Sequence, residues 1–182
     1  DSRMSSINTD SAALLVVDLQ QGILPMLPAE KAQQIIETNN RLAGAFRTAK
    51  LPVIWIHATG LPAGTVMNPI PEPEELPQNF ATLDERLHAD KNDHHIFKQR
   101  TWSAFPGTDL EAYLKGQGVT DVVLTGIATG AGVDSTARSA YDAGFTVVVV
   151  SDAVTDGSFE RHWATLEHDV PAQALHSVLS GF

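Results

Sequence analysis

The chain has 182 residues, of which 43% are hydrophobic and 19% are charged. This length and balance are typical of a globular protein, so we expect residues 1–182 to form a single domain with a sizeable core. The formal net charge is −10 and no run of Lys or Arg occurs. Nucleic acids and anionic membranes are therefore not expected as partners, because phosphate binding needs clustered cations.

The sequence also limits where the protein works and which chemistry it can use. No stretch approaches the roughly 18 apolar residues that span a bilayer, and segment 1–10 is polar and lacks the pattern of a signal peptide. We therefore expect a cytoplasmic protein. The chain has no cysteine, which excludes a thiol nucleophile, a disulfide and a thiolate metal site.

Apolar runs and helical patterns alternate along the chain. Ala12–Val17 is a continuous apolar run that ends at Asp18, which predicts a strand buried on both faces. A helical pattern opens at Pro28 and Ala29 and continues to about Lys50. Further strands are predicted at 51–57, 94–97, 122–125 and 145–150, and further helices at 108–115, from 130 or 131 to 143, and from 156 or 158 to about 168. This alternation, without hairpin signals, predicts an α/β fold with a parallel sheet.

The segment 58–92 breaks the alternation. Prolines punctuate it at positions 62, 69, 71, 73 and 77, and it has no periodic pattern of its own. A segment of this length inside a compact domain is usually functional or part of an interface. We expect it to cover a pocket or to contact a second subunit.

Three features follow predicted strands and suggest a site. Asp18 follows the first strand, Lys98 follows the third, and the glycine-rich segment 126–129 follows the fourth. Ligands of open parallel α/β sheets bind beyond the carboxyl ends of the strands, so we expect these features in one cleft. Alone, an aspartate here is more often a helix cap or turn residue, and a lysine is usually a solvated surface charge. Together, an acid beside a cation can orient an anion or move a proton.

Five segments, in this order and spacing, resemble the isochorismatase-like hydrolases: VVDLQ at 16–20, KQRTWSAFPGTDL at 98–110, TGIAT at 125–129, TARSA at 136–140 and DA at 152–153. The resemblance extends from Ala12 to about His168. It implies a three-layer α/β/α fold with a mainly parallel, six-stranded, Rossmann-like sheet, and a homo-oligomer of two or more subunits. The family includes nicotinamidases, N-carbamoyl amide hydrolases and isochorismatases, so it also implies a small-molecule substrate.

The resemblance assigns three catalytic positions. Amidases of this family use an Asp-Lys-Cys triad, in which Asp18 and Lys98 match the first two members and Gly132 stands where the cysteine would be. Without a thiolate, the acyl-enzyme route of the amidases is closed. The true isochorismatases also lack the cysteine and hydrolyse a vinyl ether by protonation and water addition, with the aspartate as acid and the lysine holding a substrate carboxylate. They carry an aromatic residue and a histidine after the turn glycine, however, whereas this chain has Ile127, Ala128 and Thr129.

The turn after the fourth predicted strand leads into a helix N-terminus, which favours an anion. In the family, the bond that matches Ile127–Ala128 is a cis peptide, and the N–H groups that match Ala128 and Gly132 form an oxyanion hole. The alternative is a glycine-rich turn that serves only close packing. We expect substrate-binding residues at Gln20, Trp102, Phe105, Ala128 and Thr129, with Trp102 and Phe105 lining an apolar pocket.

We expect neither a metal nor a cofactor. Nicotinamidases bind a metal through an Asp-x-His pair and further histidines after the second strand, where this chain has only His57. His94 and His95 alternate across a predicted strand, so they would not face one ion. Two functions remain open. One is a hydrolase of vinyl ether or C–N bonds that uses Asp18 for acid–base catalysis, and the other is a catalytically silent homologue that binds a small ligand or a protein.

Overall fold

The computed structural model describes residues 7–62 and 75–182. Its strands are β1 (Ala12–Val17), β2 (Val53–His57), β3 (His94–Phe97), β4 (Asp121–Ile127), β5 (Thr146–Thr155) and β6 (Ala172–Gln173). Its helices are α1 (Ala29–Thr48), α2 (Leu110–Gly116), α3 (Asp134–Asp142), α4 (Phe159–Ala164) and α5 (Leu175–Leu179). A 3₁₀ turn at Leu24–Met26 and π-helical turns at Thr129–Val133 and Thr165–Asp169 complete the described elements. None of these helices is both long and apolar enough to cross a membrane.

The six strands form one sheet in the order β3-β2-β1-β4-β5-β6. Every neighbouring pair is parallel. The chain moves outward from β1 through β2 to β3 and then crosses to β4, on the other side of β1. The strand order therefore reverses between β1 and β4, and a crevice at their carboxyl ends is where such sheets bind ligands.

The continuous apolar strands are buried on both faces, as their composition predicts. Side chains of β1 alternate between two core clusters: Ala12, Leu14 and Val16 belong to one, and Ala13, Leu15 and Val17 belong to the other. Phe46 of α1 and Val178 of α5 lie in the first cluster, and Leu110 of α2 and Ala140 of α3 lie in the second. The predicted three-layer α/β/α fold with a mainly parallel six-stranded sheet is confirmed.

The bounds of several elements differ from the sequence prediction. β6 and α5 were not predicted from the residue pattern, because two and five residues are too few for a periodic signal. β5 continues to Thr155 rather than ending at Val150, since its second half pairs with Gly126 and Ile127 of β4 after a register shift. α3 begins at Asp134, because the preceding residues form the π-helical turn Thr129–Val133.

Candidate active site

The crevice depends on a close approach between β1 and β4. Gly126 has a φ of +112°, and a Cβ added there would lie 2.1 Å from the carbonyl oxygen of Val17. Only glycine fits this position. Asp18 follows β1 with a φ of +57°, and its N–H donates to the carbonyl of Ile56 at 2.9 Å. Asp18 thereby lines a cavity at the carboxyl ends of the strands.

Lys98 reaches the same cavity from the end of β3. Its N–H donates to the carbonyl of His57 at 2.9 Å, and its carbonyl accepts from the hydroxyl of Thr59 at 2.7 Å. With the backbone held in this way, Lys98 Nζ lies 2.7 Å from Asp18 Oδ2. Only 4% of Lys98 and 7% of Asp18 is exposed. The prediction that these two residues share one cleft is confirmed.

The carboxyl of Asp18 has an unusual environment. Burial raises its pKa, although the positive charge of Lys98 and the hydrogen bond from Lys98 offset part of this effect. Its second oxygen, Oδ1, is buried and has no hydrogen-bond partner among the described residues. A carboxyl with one oxygen bound to Lys98 and the other unpaired is well placed to exchange a proton with a ligand.

Gly132 faces this pair from the turn Thr129–Val133. A Cβ added to Gly132 would lie 3.5 Å from Lys98 Nζ, 3.5 Å from the carbonyl oxygen of Ile127 and 3.2 Å from Val17 Cγ1. The contact with Val17 is tighter than ordinary van der Waals packing, so a side chain here would push against its neighbour. The Ile127–Ala128 peptide bond is cis, as the resemblance implies.

The cavity around these residues has a volume of about 290 Å³. Apart from Asp18 and Lys98, its described lining is mostly apolar or glycine: Gly22, Ile23, Met26, Ala58, Gly60, Leu61, Pro62, Leu76, Phe80, Thr101, Trp102, Ile127, Ala128, Ala131 and Gly132. The described parts of segment 58–92 supply six of these lining residues, so they form part of the pocket wall, as predicted. Residues 63–74 of the same segment lie outside the described residues.

Of the five residues predicted to bind substrate, two line the cavity and three do not. Ala128 and Trp102 are part of its wall, and Trp102 remains 40% exposed. Phe105 packs instead on the α2–α3 side of the sheet, with its ring centroid 6.3 Å from that of Phe145. The chain turns away after Trp102 because the N–H of Ala104 donates to the hydroxyl of Thr136 in α3. The predicted place of Phe105 in the pocket wall is therefore wrong.

Gln20 does not line the cavity, although it was predicted to bind substrate. Its Nε2 donates to the carbonyls of Ala58 at 2.8 Å and Phe80 at 2.9 Å, and its Oε1 accepts from the N–H of Ala58 at 2.8 Å. Gln20 has no exposed surface. Gln20 therefore links the wall segments at Ala58 and Phe80 to the end of β1 by hydrogen bonds, and its amide is not available to a ligand.

Thr129 is also bound to the protein instead of facing the cavity. Its hydroxyl oxygen lies 2.7 Å from Nδ1 of His162, and the residue has no exposed surface. The side chain thus points from the turn toward α4. Its predicted role in substrate contact is corrected to a contact between the turn and this helix.

The histidines of β2 and β3 contact other protein groups through their rings. Nδ1 of His57 lies 2.6 Å from the carbonyl oxygen of Ala81, and its Nε2 lies 2.8 Å from Nδ1 of His95. His94 faces the other side, where its ring stacks on Tyr113 at a centroid distance of 3.7 Å. Over residues 7–62 and 75–182, no group of three or more metal-binding side chains comes together.

Five large apolar residues of the described wall were not identified from the sequence: Ile23, Met26, Leu61, Leu76 and Phe80. They lie in segments without strand or helix periodicity, so no pattern predicted their direction. Only their composition could have identified them. Large apolar side chains in an irregular segment do not pack within a helix or strand of that segment, so they are candidates for lining a pocket. Met26 is 77% exposed, which places it at the open side of the cavity.

The chain matches the isochorismatase domain over residues 12–177. An uncharacterized isochorismatase family protein of Escherichia coli O157:H7, YecD, is 36% identical over 174 residues, which cover 92% of each chain. The structure of an isochorismatase family protein from Burkholderia thailandensis has a TM-score of 0.88 at 34% identity and covers 97% of both chains. The pyrazinamidase of Pyrococcus horikoshii, solved in complex with zinc, has a TM-score of 0.76 at 25% identity and covers 90% of this chain and 99% of the other. The chain therefore belongs to the isochorismatase family.

Proposed function

We propose that this chain is a small-molecule hydrolase that acts without a cysteine nucleophile. The observation that carries the proposal is the buried Asp18–Lys98 pair beside Gly132, in a chain that has no cysteine. Two members of the family's amidase triad are present, and glycine leaves the space next to Lys98 to a substrate atom or to water. Water must then attack the substrate directly, after or during a proton transfer that Asp18 performs.

Asp18 is the acid in the vinyl ether form of the reaction. The neutral carboxyl gives its proton to the terminal vinyl carbon, and the ether oxygen stabilises the positive charge on the neighbouring carbon. Water adds to that carbon while the Asp18 carboxylate takes a proton from the water. The resulting hemiketal releases an alcohol and a ketone, and Asp18 is neutral again. Burial supports this role because it raises the pKa of Asp18 and so favours the neutral form.

Cleavage of a C–N bond would use the same residue in the opposite protonation state. Ionised Asp18 would take the proton from water as the water attacks the carbonyl carbon, and would then deliver it to the leaving nitrogen. The ion pair with Lys98 favours the ionised form. The two reactions therefore demand opposite pH dependences, which makes them separable by measurement.

Lys98 supplies positive charge to the bound substrate. Its Nζ lies 2.7 Å from Asp18 Oδ2 and 3.5 Å from the point that a Cβ on Gly132 would occupy. A substrate seated against Gly132 therefore meets the ammonium group, which can hold a carboxylate or polarise a carbonyl oxygen. Ala128 and Gly132, whose N–H groups match the family's oxyanion hole, line the same cavity.

The lining supports a compact substrate that is largely apolar and carries one anionic or carbonyl group. Asp18 and Lys98 are the charged groups among the described lining residues, and Trp102, Phe80 and Leu61 offer apolar contact. The likeness to a pyrazinamidase supports a small-molecule substrate. From the family resemblance we also expect the working form to be a homo-oligomer.

The test is a turnover screen of the purified chain against vinyl ethers, amides and lactams. Asp18→Asn should lower kcat by about 10²–10⁴-fold. Asp84→Asn, which changes a carboxylate paired with Arg86 outside the cavity lining, should retain the activity. Turnover that Asp18→Asn leaves unchanged would contradict the proposal. Saturable binding of these compounds without turnover would instead favour the alternative, a catalytically silent homologue that binds a ligand or a protein through the same pocket.

A further inference from the structure

We propose that Asp156, Arg161 and His162 are positioning residues that hold the turn Thr129–Val133 in place opposite Lys98. They come from the end of the β5 region and from α4, and they are not among the residues that line the cavity. Their importance for catalysis rests on the function proposed above. Their effect on the position of Gly132 does not, and it can be measured separately.

Asp156 is the centre of this arrangement. Its carboxylate accepts hydrogen bonds from the N–H of Gly130 at 2.9 Å, from the N–H of Ser158 at 2.9 Å, and from Nε and Nη2 of Arg161 at 2.9 and 2.5 Å. The Asp156 side chain has no exposed surface. Burial alone would raise the pKa of this carboxyl, but the hydrogen bonds from Arg161, Ser158 and Gly130 outweigh it and lower the pKa. Asp156 is thus an ionised acceptor that ties the turn to the start of α4.

Arg161 also covers the turn with the apolar part of its side chain. A Cβ added to Gly130 would lie 2.3 Å from Arg161 Cγ and 2.6 Å from its Cδ. The side chain therefore lies directly over the backbone of Gly130, in space that any other residue at this position would occupy. This contact explains why the turn carries a glycine at 130, two residues before the glycine that faces Lys98.

His162 holds the neighbouring residue of the same turn. Its Nδ1 lies 2.7 Å from the hydroxyl oxygen of Thr129, which has no exposed surface. Two consecutive residues, Thr129 and Gly130, are thus bound by two different side-chain contacts from outside the turn. The N–H groups of Ala131 and Val133 both donate to the carbonyl of Ala128, which sets the shape of the turn but not its place in the molecule.

A displacement of residues 129 and 130 would carry Gly132 with it. The space between Gly132 and Lys98 is small, since a Cβ on Gly132 would lie 3.5 Å from Lys98 Nζ. The charge of Lys98 acts strongly at this distance and weakens as the distance grows. The contacts with Asp156, Arg161 and His162 therefore determine how strongly Lys98 acts on whatever group is seated at Gly132.

The experiment places a titratable probe at that point. Gly132→Cys introduces the sole thiol of the chain, because the sequence has no cysteine. Its pKa is measured from the ultraviolet absorbance of the thiolate, and Lys98 should hold it below the ordinary value of about 8.5. Adding Asp156→Ala should move the titration midpoint upward by about half a pH unit or more, toward that ordinary value. His162→Phe should move it in the same direction.

Asp84→Ala is the matched control. Asp84 is held by Arg86 through two contacts of 2.9 Å, so its removal breaks an equivalent carboxylate–guanidinium pair that does not touch the turn. It should leave the thiol midpoint unchanged. An unchanged midpoint in a folded Asp156→Ala variant of the probe overturns the proposal, because a side chain with a merely structural role would not alter a titration at Gly132.

A second measurement uses the chain with glycine at position 132. It tests the positioning role of Asp156 even if the Gly132→Cys variant does not fold. Amide hydrogen exchange of segment 129–133 should become about tenfold faster or more in Asp156→Ala and remain unchanged in Asp84→Ala. Equal exchange rates in the two variants overturn the proposal. Neither measurement uses turnover, so a failure here is distinct from a failure of the proposed hydrolase activity.

Discussion

Lys98 Nζ lies 2.7 Å from Asp18 Oδ2, although the two residues are 80 positions apart in the sequence. Both are almost completely buried, so each charge depends on the other for compensation. The charge of Lys98 and its hydrogen bond both lower the pKa of Asp18, against the larger opposite effect of burial.

These opposed effects on the pKa of Asp18 predict the outcome of Lys98→Met. Without Lys98, its charge and its hydrogen bond no longer offset the effect of burial. The pKa of Asp18 therefore rises further above its unfolded value of 3.8. A group whose folded pKa is raised favours folding in its protonated form, so the destabilisation should grow as the pH rises through that folded pKa. At neutral pH we expect a loss of about 3–5 kcal/mol, the usual cost of breaking a buried pair.

Denaturant unfolding of Lys98→Met at several pH values measures this. The double variant Asp18→Asn/Lys98→Met is the control, because it removes the acid that titrates. It should recover much of the stability at neutral pH and lose the added pH dependence. A loss that is the same at acidic and neutral pH would show that the ionisation of Asp18 is not its cause.

A second prediction concerns the pH dependence of turnover. As the acid of a vinyl ether hydrolysis, Asp18 works only when neutral, so kcat/KM should fall as the pH rises through its folded pKa, which burial places above 3.8. Asp18→Asn should lower kcat by about 10²–10⁴-fold, the usual contribution of a general acid. A rate that instead rises with pH through the same range would identify Asp18 as a base and favour C–N bond cleavage.

The sequence was most informative where a strand ends. The apolar run of β1 stops at Asp18, and the parallel alternation predicts that strand ends meet, so the approach of Asp18 and Lys98 was predictable. Side-chain direction in the irregular segments was not predictable in the same way. Phe105 turns away from the pocket because Ala104 is bound to Thr136 of α3, a contact that no local pattern reveals.

The turn after β4 shows the same limit. The family resemblance correctly implied its cis bond and its place beside Lys98, but not the direction of the Thr129 side chain. That direction is set by His162 of α4, 33 residues further along the chain. Gln20 is a comparable case, because its side-chain amide donates to the carbonyls of Ala58 and Phe80. From the sequence alone, a polar residue in a family motif looks the same whether it binds a ligand or the protein backbone.

A third prediction uses the glycine that brings β1 and β4 together. Gly126→Ala should be severely destabilising, by about 4 kcal/mol or more, because a left-handed φ is combined with a Cβ only 2.1 Å from the carbonyl oxygen of Val17. Gly118→Ala is the matched control, since Gly118 has a φ of +72° and no atom within 4 Å of the added Cβ. It should cost only about 1 kcal/mol, through the backbone alone. Equal losses in thermal or denaturant unfolding would mean that the close approach at Gly126 is not what excludes a side chain.

The last prediction is that Gly132→Cys does not restore an amidase. The Cβ would lie 3.2 Å from Val17 Cγ1, so Val17 or the turn that carries residue 132 has to shift to admit the new side chain. We expect a loss of about 1–3 kcal/mol in stability, shared by Gly132→Ala, since the crowding comes from the Cβ rather than from the sulfur. Amide and carbamoyl substrates should remain uncleaved, even though Lys98 lies close enough to promote ionisation of the thiol.

The assay of Gly132→Cys combines three measurements: hydrolysis of amide and carbamoyl compounds, the alkylation rate of the single thiol, and the stability difference from Gly132→Ala. Alkylation without hydrolysis is the expected result, because a nucleophile is useful only when the carbonyl carbon is held in line with it. Adding Val17→Ala relieves the contact at the Cβ and should recover part of the lost stability without producing an amidase. Rapid amide hydrolysis that Asp18→Asn abolishes would show that the chain lacks only the thiol, and the mechanism by direct attack of water would then be wrong.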